Sequence, residues 1–176
     1  MAVPDDWKNG RQVSFGDIRR ALDGAGLRER NAILGFVREN VSRIRPTVDD
    51  DWLYDAMASY FLECIAVQWS SDTADEYSSI HSPFEAAREL IEWFSWYAKR
   101  VEIPTEFVRI VDRIALAFKN GDPSVRNCIE TGFLEHVLEI PEYRQHFAHW
   151  ERDAILADSY TEALRWGVEH TRSKAP

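Results

Sequence analysis

The chain has 176 residues, 45% of them hydrophobic and 29% charged, the usage of an ordinary globular domain, which excludes a largely disordered chain. Lys and Arg number 21 against 30 Asp and Glu, a formal charge of −9. That sign argues against a nucleic-acid binder and against a protein held on anionic lipid, because both depend on basic side chains.

Helix punctuation recurs along the chain and strand signals are nearly absent. Ser14-Phe15-Gly16-Asp17 predicts a capped start for a short helix that ends at Gly24 or Gly26. A second helix is expected from Leu27 to Ile44, with Leu34, Val37, Val41 and Ile44 on one face and Pro46 stopping it. Thr47 caps a third, and Asp49, Asp50 and Asp51 fall where the positive end of the helix dipole favours anions. That helix carries Leu53, Met57, Phe61, Cys64 and Ile65 and is expected to be central. Residues 70–82 are polar, acidic and without periodicity, so they predict the one long loop.

Ser82-Pro83-Phe84-Glu85 combines an N-cap, Pro at the first helical position and Glu at the third. The helix it opens is expected to bury Phe84, Ala87, Leu90, Ile91, Phe94, Ala98 and Val101 before Pro104 closes it. A fifth helix carries Phe107, Val111, Ile114, Ala115 and Phe118 and stops at Asn120-Gly121. Asp122-Pro123 repeats the cap grammar for a sixth, with Val125, Ile129, Phe133 and Val137 in step. Pro141 starts a short helix through Trp150, and a last one spans Asp153 to His170 with Leu156, Tyr160, Leu164 and Val168 inward. The sum is an all-α chain of about seven or eight helices, mostly antiparallel neighbours in one compact domain. Within it, residues 1–46 form N-terminal helices, 47–103 an acidic helix, loop and aromatic helix, and 104–172 a C-terminal helical unit. Helix pairs of about 35 to 40 residues also suit HEAT-like stacking, although no pattern repeats between pairs.

The charge is unevenly placed. Residues 47–82 hold eight acids (Asp49, Asp50, Asp51, Asp55, Glu63, Asp72, Asp75 and Glu76) and no Lys or Arg. The other 140 residues hold 22 acids and 21 basic residues and are nearly neutral. A dipole-compensating helix start followed by a solvated loop accounts for such a run. So does a docking surface, because Trp52, Tyr54, Trp69 and Tyr77 interleave with the acids and a long loop in a helical domain is often functional. The candidate partner-binding residues are Asp50, Asp51, Asp55, Trp69, Asp72, Asp75, Glu76 and Tyr77.

Catalytic signatures are missing: the sequence has no Gly-rich phosphate loop, nucleophile elbow or catalytic Cys–His pattern, so a non-enzyme without a cofactor is expected. Glu142, His146 and His149 fall at i, i+4 and i+7 and could face one divalent metal. Without HExxH or paired Glu-x-x-His, an amphipathic helix surface is the simpler reading, and no metal is expected. Trp93-Phe94-Ser95-Trp96-Tyr97 suits core packing, with an aromatic ligand pocket as the alternative. Cys64 and Cys128 lie in apolar stretches and predict buried free thiols. The N-terminus lacks the basic start and apolar stretch of a signal peptide, and no run of about 18 apolar residues exists, so a cytoplasmic location is expected.

Residues 118–127, Phe-Lys-Asn-Gly-Asp-Pro-Ser-Val-Arg-Asn, followed by Gly132-Phe133-Leu134-Glu135-His136, resemble a motif of small bacterial helical domains. In that family a Leu- and Trp-containing helix follows, for which Leu164, Arg165 and Trp166 are the counterpart. The family's function is unassigned, and some members resemble immunity proteins of polymorphic toxin systems. The resemblance covers residues 104–170 and implies a class of protein without transferring any functional residue. Together with the acidic stretch it yields the expectation of an immunity protein that occludes a basic toxin domain. A regulatory or scaffold module is the alternative, and a metal-dependent enzyme the third.

Overall fold

Side-chain caps place the helix starts. Ser14 Oγ accepts the Asp17 N–H at 3.2 Å while Asp17 Oδ2 accepts the Ser14 N–H at 3.0 Å, a reciprocal pair that satisfies two otherwise orphaned donors. The Glu85 N–H donates to Ser82 Oγ at 3.2 Å, and the Val125 N–H to Asp122 Oδ1 at 2.9 Å. The computed structural model describes residues 3–40, 50–66, 80, 82–100 and 105–173. Among these the chain is all-α. The elements are α1 (Asp5–Lys8), α2 (Phe15–Leu22), α3 (Leu27–Asn40), α4 (Asp50–Ala66), α5 (Pro83–Arg100), α6 (Thr105–Asn120) and α7 (Pro123–Ile129). A π-helical turn (Glu130–Leu134) leads into α8 (Glu135–Val137), then α9 (Pro141–Phe147), a 3-10 turn (Ala148–Arg152) and α10 (Ala157–Ser173). No helix among the described residues is long and apolar enough to cross a membrane.

The π turn has a physical reason in the sequence. Val125, Ile129, Phe133 and Val137 recur every four residues, whereas an α-helix turns every 3.6, so such a stripe drifts by about 40° per step. Widening one turn resets the drift, and all four side chains are buried. The sequence pattern shows the stripe but gives no sign of the widened turn.

One core runs through the molecule. Trp7, Val13 and Ile18 join Ile33, Leu34 and Val37 at the N-terminal end, where the Trp7 and Phe36 rings lie 5.7 Å apart. Met57, Phe61, Cys64 and Ile65 are buried as expected, and α4 packs on α3, α5, α6 and α7, which makes it central. Phe94 anchors the C-terminal half: its ring meets Phe133 at 5.7 Å, Tyr143 at 5.4 Å and Phe147 at 5.6 Å, and Phe147 passes the contact to Trp150. Such pairs add about 0.5–1.5 kcal/mol each beyond burial, so this cluster ties α5, the π turn, α9 and the 3-10 turn into one unit. Trp93 and Phe94 are thus core residues; the side chains of Trp96 and Tyr97 lie outside the described set.

Three expectations are corrected. Phe84 is 51% exposed, while Ala86, Glu89 and Trp93 join Ala87, Leu90 and Phe94 on the buried side of α5. The last helix begins at Ala157, because Asp153 Oδ1 instead accepts the Ile155 and Leu156 N–H groups at 3.0 and 3.3 Å and closes a separate turn. Its buried positions are Tyr160, Ala163 and Gly167, with Leu156 buried in the turn before it, so Leu164 and Val168 stand at the edge. The small residues allow the close approach that the larger ones would block.

Both cysteines are buried and outside any disulfide, and loss of hydration pushes each thiol up to about 11. At pH 7.5 neither should react with a thiol reagent such as DTNB over minutes in the native protein, and both should react once guanidinium unfolds it. A fast-titrating thiol in the folded chain would contradict this packing.

Candidate partner-binding surface

The acid-only stretch of residues 47–82 contains α4 and ends at Ser82, the N-cap of α5, and these two helices pack on one another more extensively than any other described pair. Asp50 and Asp51 occupy the first turn of α4, where the helix dipole favours anions. Their side chains, and Trp69, Asp72, Asp75, Glu76 and Tyr77 entirely, lie outside the described residues, as do the Thr47 cap and most of the predicted loop.

Asp55 is described, and it has a partner within the chain. Arg113 Nη2 of α6 donates to Asp55 Oδ2 at 2.7 Å, and Nη1 of the same guanidinium bonds Ser59 Oγ. Arg30 Nη1 of α3 donates to Glu63 Oε2 at 2.6 Å. Two of the eight acids therefore pair with basic groups of neighbouring helices. Exposed pairs of this kind contribute roughly 0–1 kcal/mol, so an incoming guanidinium or ammonium could replace Arg113 at Asp55 at little cost.

The residues that carry the family resemblance do architectural work. A Cβ on Gly121 would lie 2.6 Å from Val125 Cγ1 and 2.9 Å from the Ala117 carbonyl oxygen, so the turn needs glycine for space. Arg126 Nε donates to the Phe118 and Gly121 carbonyls at 3.1 and 2.9 Å and Nη2 to the Lys119 carbonyl at 2.9 Å. One guanidinium thereby satisfies the open carbonyls at the end of α6. Phe133 and Leu134 are fully buried. Glu135 is partly buried, and loss of hydration raises its carboxyl above the ordinary range.

A cluster that the sequence reading missed joins α8 to α10. His136 Nδ1 lies 3.0 Å from Glu139 Oε1, and His170 Nε2 lies 4.0 Å from Glu139 Oε2. The Trp166 ring stacks on His170 at 4.6 Å and meets His136 edge-on at 5.3 Å. Trp166 and His170 at i, i+4 were the available signal, but their partners lie some thirty positions away.

Glu142, His146 and His149 do not converge. Helix α9 stops at Phe147, so the i, i+7 relation to His149 is broken, and His149 Nε2 instead lies 4.0 Å from Asp112 Oδ1 on α6. His146 is partly buried, which lowers its imidazole. Among the described residues no three His, Cys, Asp or Glu side chains form a group that could hold a metal ion. An open groove of about 460 Å³ is lined by Ala21, Ala25 and Ile33 with Arg20, Asp23 and Glu29, a mixed set without convergent polar groups. Comparison with protein-family models, with curated proteins and with solved structures finds no match to this chain.

Proposed function

We propose that this chain is a cytoplasmic binding protein of the immunity type, which neutralises a toxin by covering a basic active-site cleft with the acidic surface of residues 47–82. One observation carries the reading: eight carboxylates and no Lys or Arg over 36 consecutive residues, in a chain otherwise nearly neutral. Carboxylates presented together occupy the positions that phosphates would take in a nuclease-like cleft. They also steer encounter and exclude wrong partners, while interleaved Trp69 and Tyr77 supply contact energy. Helices α4 and α5, which flank residues 67–82 in the sequence, pack on one another. Occlusion requires no catalytic residue and no cofactor of this chain.

Co-expression is the test. A toxin encoded beside this chain should arrest growth when produced alone and be tolerated when this chain is produced with it. Arrest that persists despite abundant soluble protein would overturn the proposal.

A further inference from the structure

We propose that His136, Glu139, Trp166 and His170 form a proton-dependent clamp, which holds α10 on the 138–139 turn more tightly when the two imidazoles are protonated. The clamp is independent of the proposed function. Distance fixes what each contact contributes. His170 Nε2 stands 4.0 Å from Glu139 Oε2, beyond hydrogen-bond reach, so the carboxylate acts on that ring only through charge, which an imidazole carries only when protonated. His136 Nδ1 lies 3.0 Å from Glu139 Oε1, a hydrogen bond that protonation converts to a charge-assisted one. The Trp166 ring lies 17° from parallel to His170 and offers its electron-rich face to an imidazolium. His170 is also in the last turn of α10, where the helix dipole favours a cation. The Glu139 side chain is only 18% exposed, so solvent screens its charge less than that of a surface carboxylate. Two imidazoliums repel one another across Glu139, so the second proton adds less than the first.

Helix α10 packs on α8, the π turn and the 3-10 turn. The first two bring Glu135 and Glu130, and the 3-10 turn brings His149, Glu151 and Arg152. On α10 itself Arg165 pairs with Glu162, and Glu169 and Arg172 flank His170 in sequence. Arg144 of α9, bound to the Leu138 and Glu139 carbonyls, keeps its charge and opposes a further cation there. The arginines act equally at pH 6 and pH 8, so they weaken or strengthen the clamp without making it respond to protons. Glu135, raised by loss of hydration, and His149, beside Asp112 of α6, titrate on their own account. Lys174 follows α10 and lies outside the described residues.

Amide hydrogen exchange of α10, corrected for the intrinsic pH dependence of exchange, reads the clamp directly. It is measured at pH 6 and pH 8 on the parent and on the His136→Gln, His170→Gln double variant, after a thermal melt shows that the variant folds. The variant keeps Glu135, His149, Arg144 and Lys174, so any response that they cause remains in it. Protection of the last two turns of α10 should rise about threefold from pH 8 to pH 6 in the parent, and the rise should vanish in the double variant. Equal protection of the parent at the two pH values, or the same rise in the variant, would overturn the clamp. Should the double variant fail to fold, Glu139→Gln decides, since it keeps both imidazoles and removes the charge between them. An undiminished rise in Glu139→Gln would likewise overturn the proposal.

Discussion

Gly167→Val should destabilise the protein by about 3 kcal/mol, or roughly 6–12 °C in Tm for a chain of this size, whereas Gly35→Ala should stabilise it. Both glycines lie inside helices, where alanine is the better helix former by about 1 kcal/mol. Space decides the sign. A Cβ on Gly35 would meet nothing within 4 Å, so the propensity gain stands alone. A Cβ on Gly167 would lie 2.8 Å from the Leu138 carbonyl carbon and 2.9 Å from the Glu139 nitrogen. Those are backbone atoms and cannot swing aside. The same turn is held by Arg144 Nε, which donates to the Leu138 carbonyl at 2.8 Å, and by Thr171 Oγ1, which donates to the Glu139 carbonyl at 2.9 Å. Pushing α10 away would therefore also break these bonds and part Trp166 from His136 and His170 from Glu139. Thermal melts of the two variants check it: stabilisation by a larger residue at 167 would mean that α10 is not docked on the turn.

The same crossing shows where sequence reasoning reached its limit. Caps are local chemistry, so Ser14, Ser82 and Asp122 were legible, and Pro and Gly punctuation placed most helix ends. Large apolar stripes were legible too, because burial of Phe94, Ile114, Phe118 and Phe133 follows from hydrophobicity and spacing alone. Periodicity weighted by side-chain size pointed to Leu164 and Val168, but the helix buries Ala163 and Gly167, whose value lies in how close another backbone comes. That information sits in the 138–139 turn, far along the chain. The π turn and the 153–156 turn escaped for a related reason: each adjusts the register of one helix to fit another.

For the docking surface, sequence supplied the location of the charge and structure supplied its context. Composition alone could not show that Asp55 and Glu63 each hold an arginine of a neighbouring helix, since Arg113 and Arg30 are distant in sequence. Nor could it show that Phe84, expected in the core, stands exposed beside the segment's end. The remaining acids carry the account, and among them Asp72, Asp75 and Glu76 fall within five consecutive positions of the sequence.

Reversing those three charges should have the largest effect on partner association. Steering by a localised charge changes encounter rates by about 10- to 1000-fold, and removing it acts on association more than on dissociation. The effect is screened by salt, with a Debye length of about 10 Å at 0.1 M. The decisive measurement is therefore the association rate of the parent chain and of the Asp72→Lys, Asp75→Lys, Glu76→Lys triple variant with the inactivated toxin domain, from low to high ionic strength. The parent should associate at least tenfold faster at low salt and lose that advantage as salt rises, while the variant stays slow with a shallow dependence. Equal rates and equal salt slopes for the two proteins would contradict an acidic docking surface in this segment.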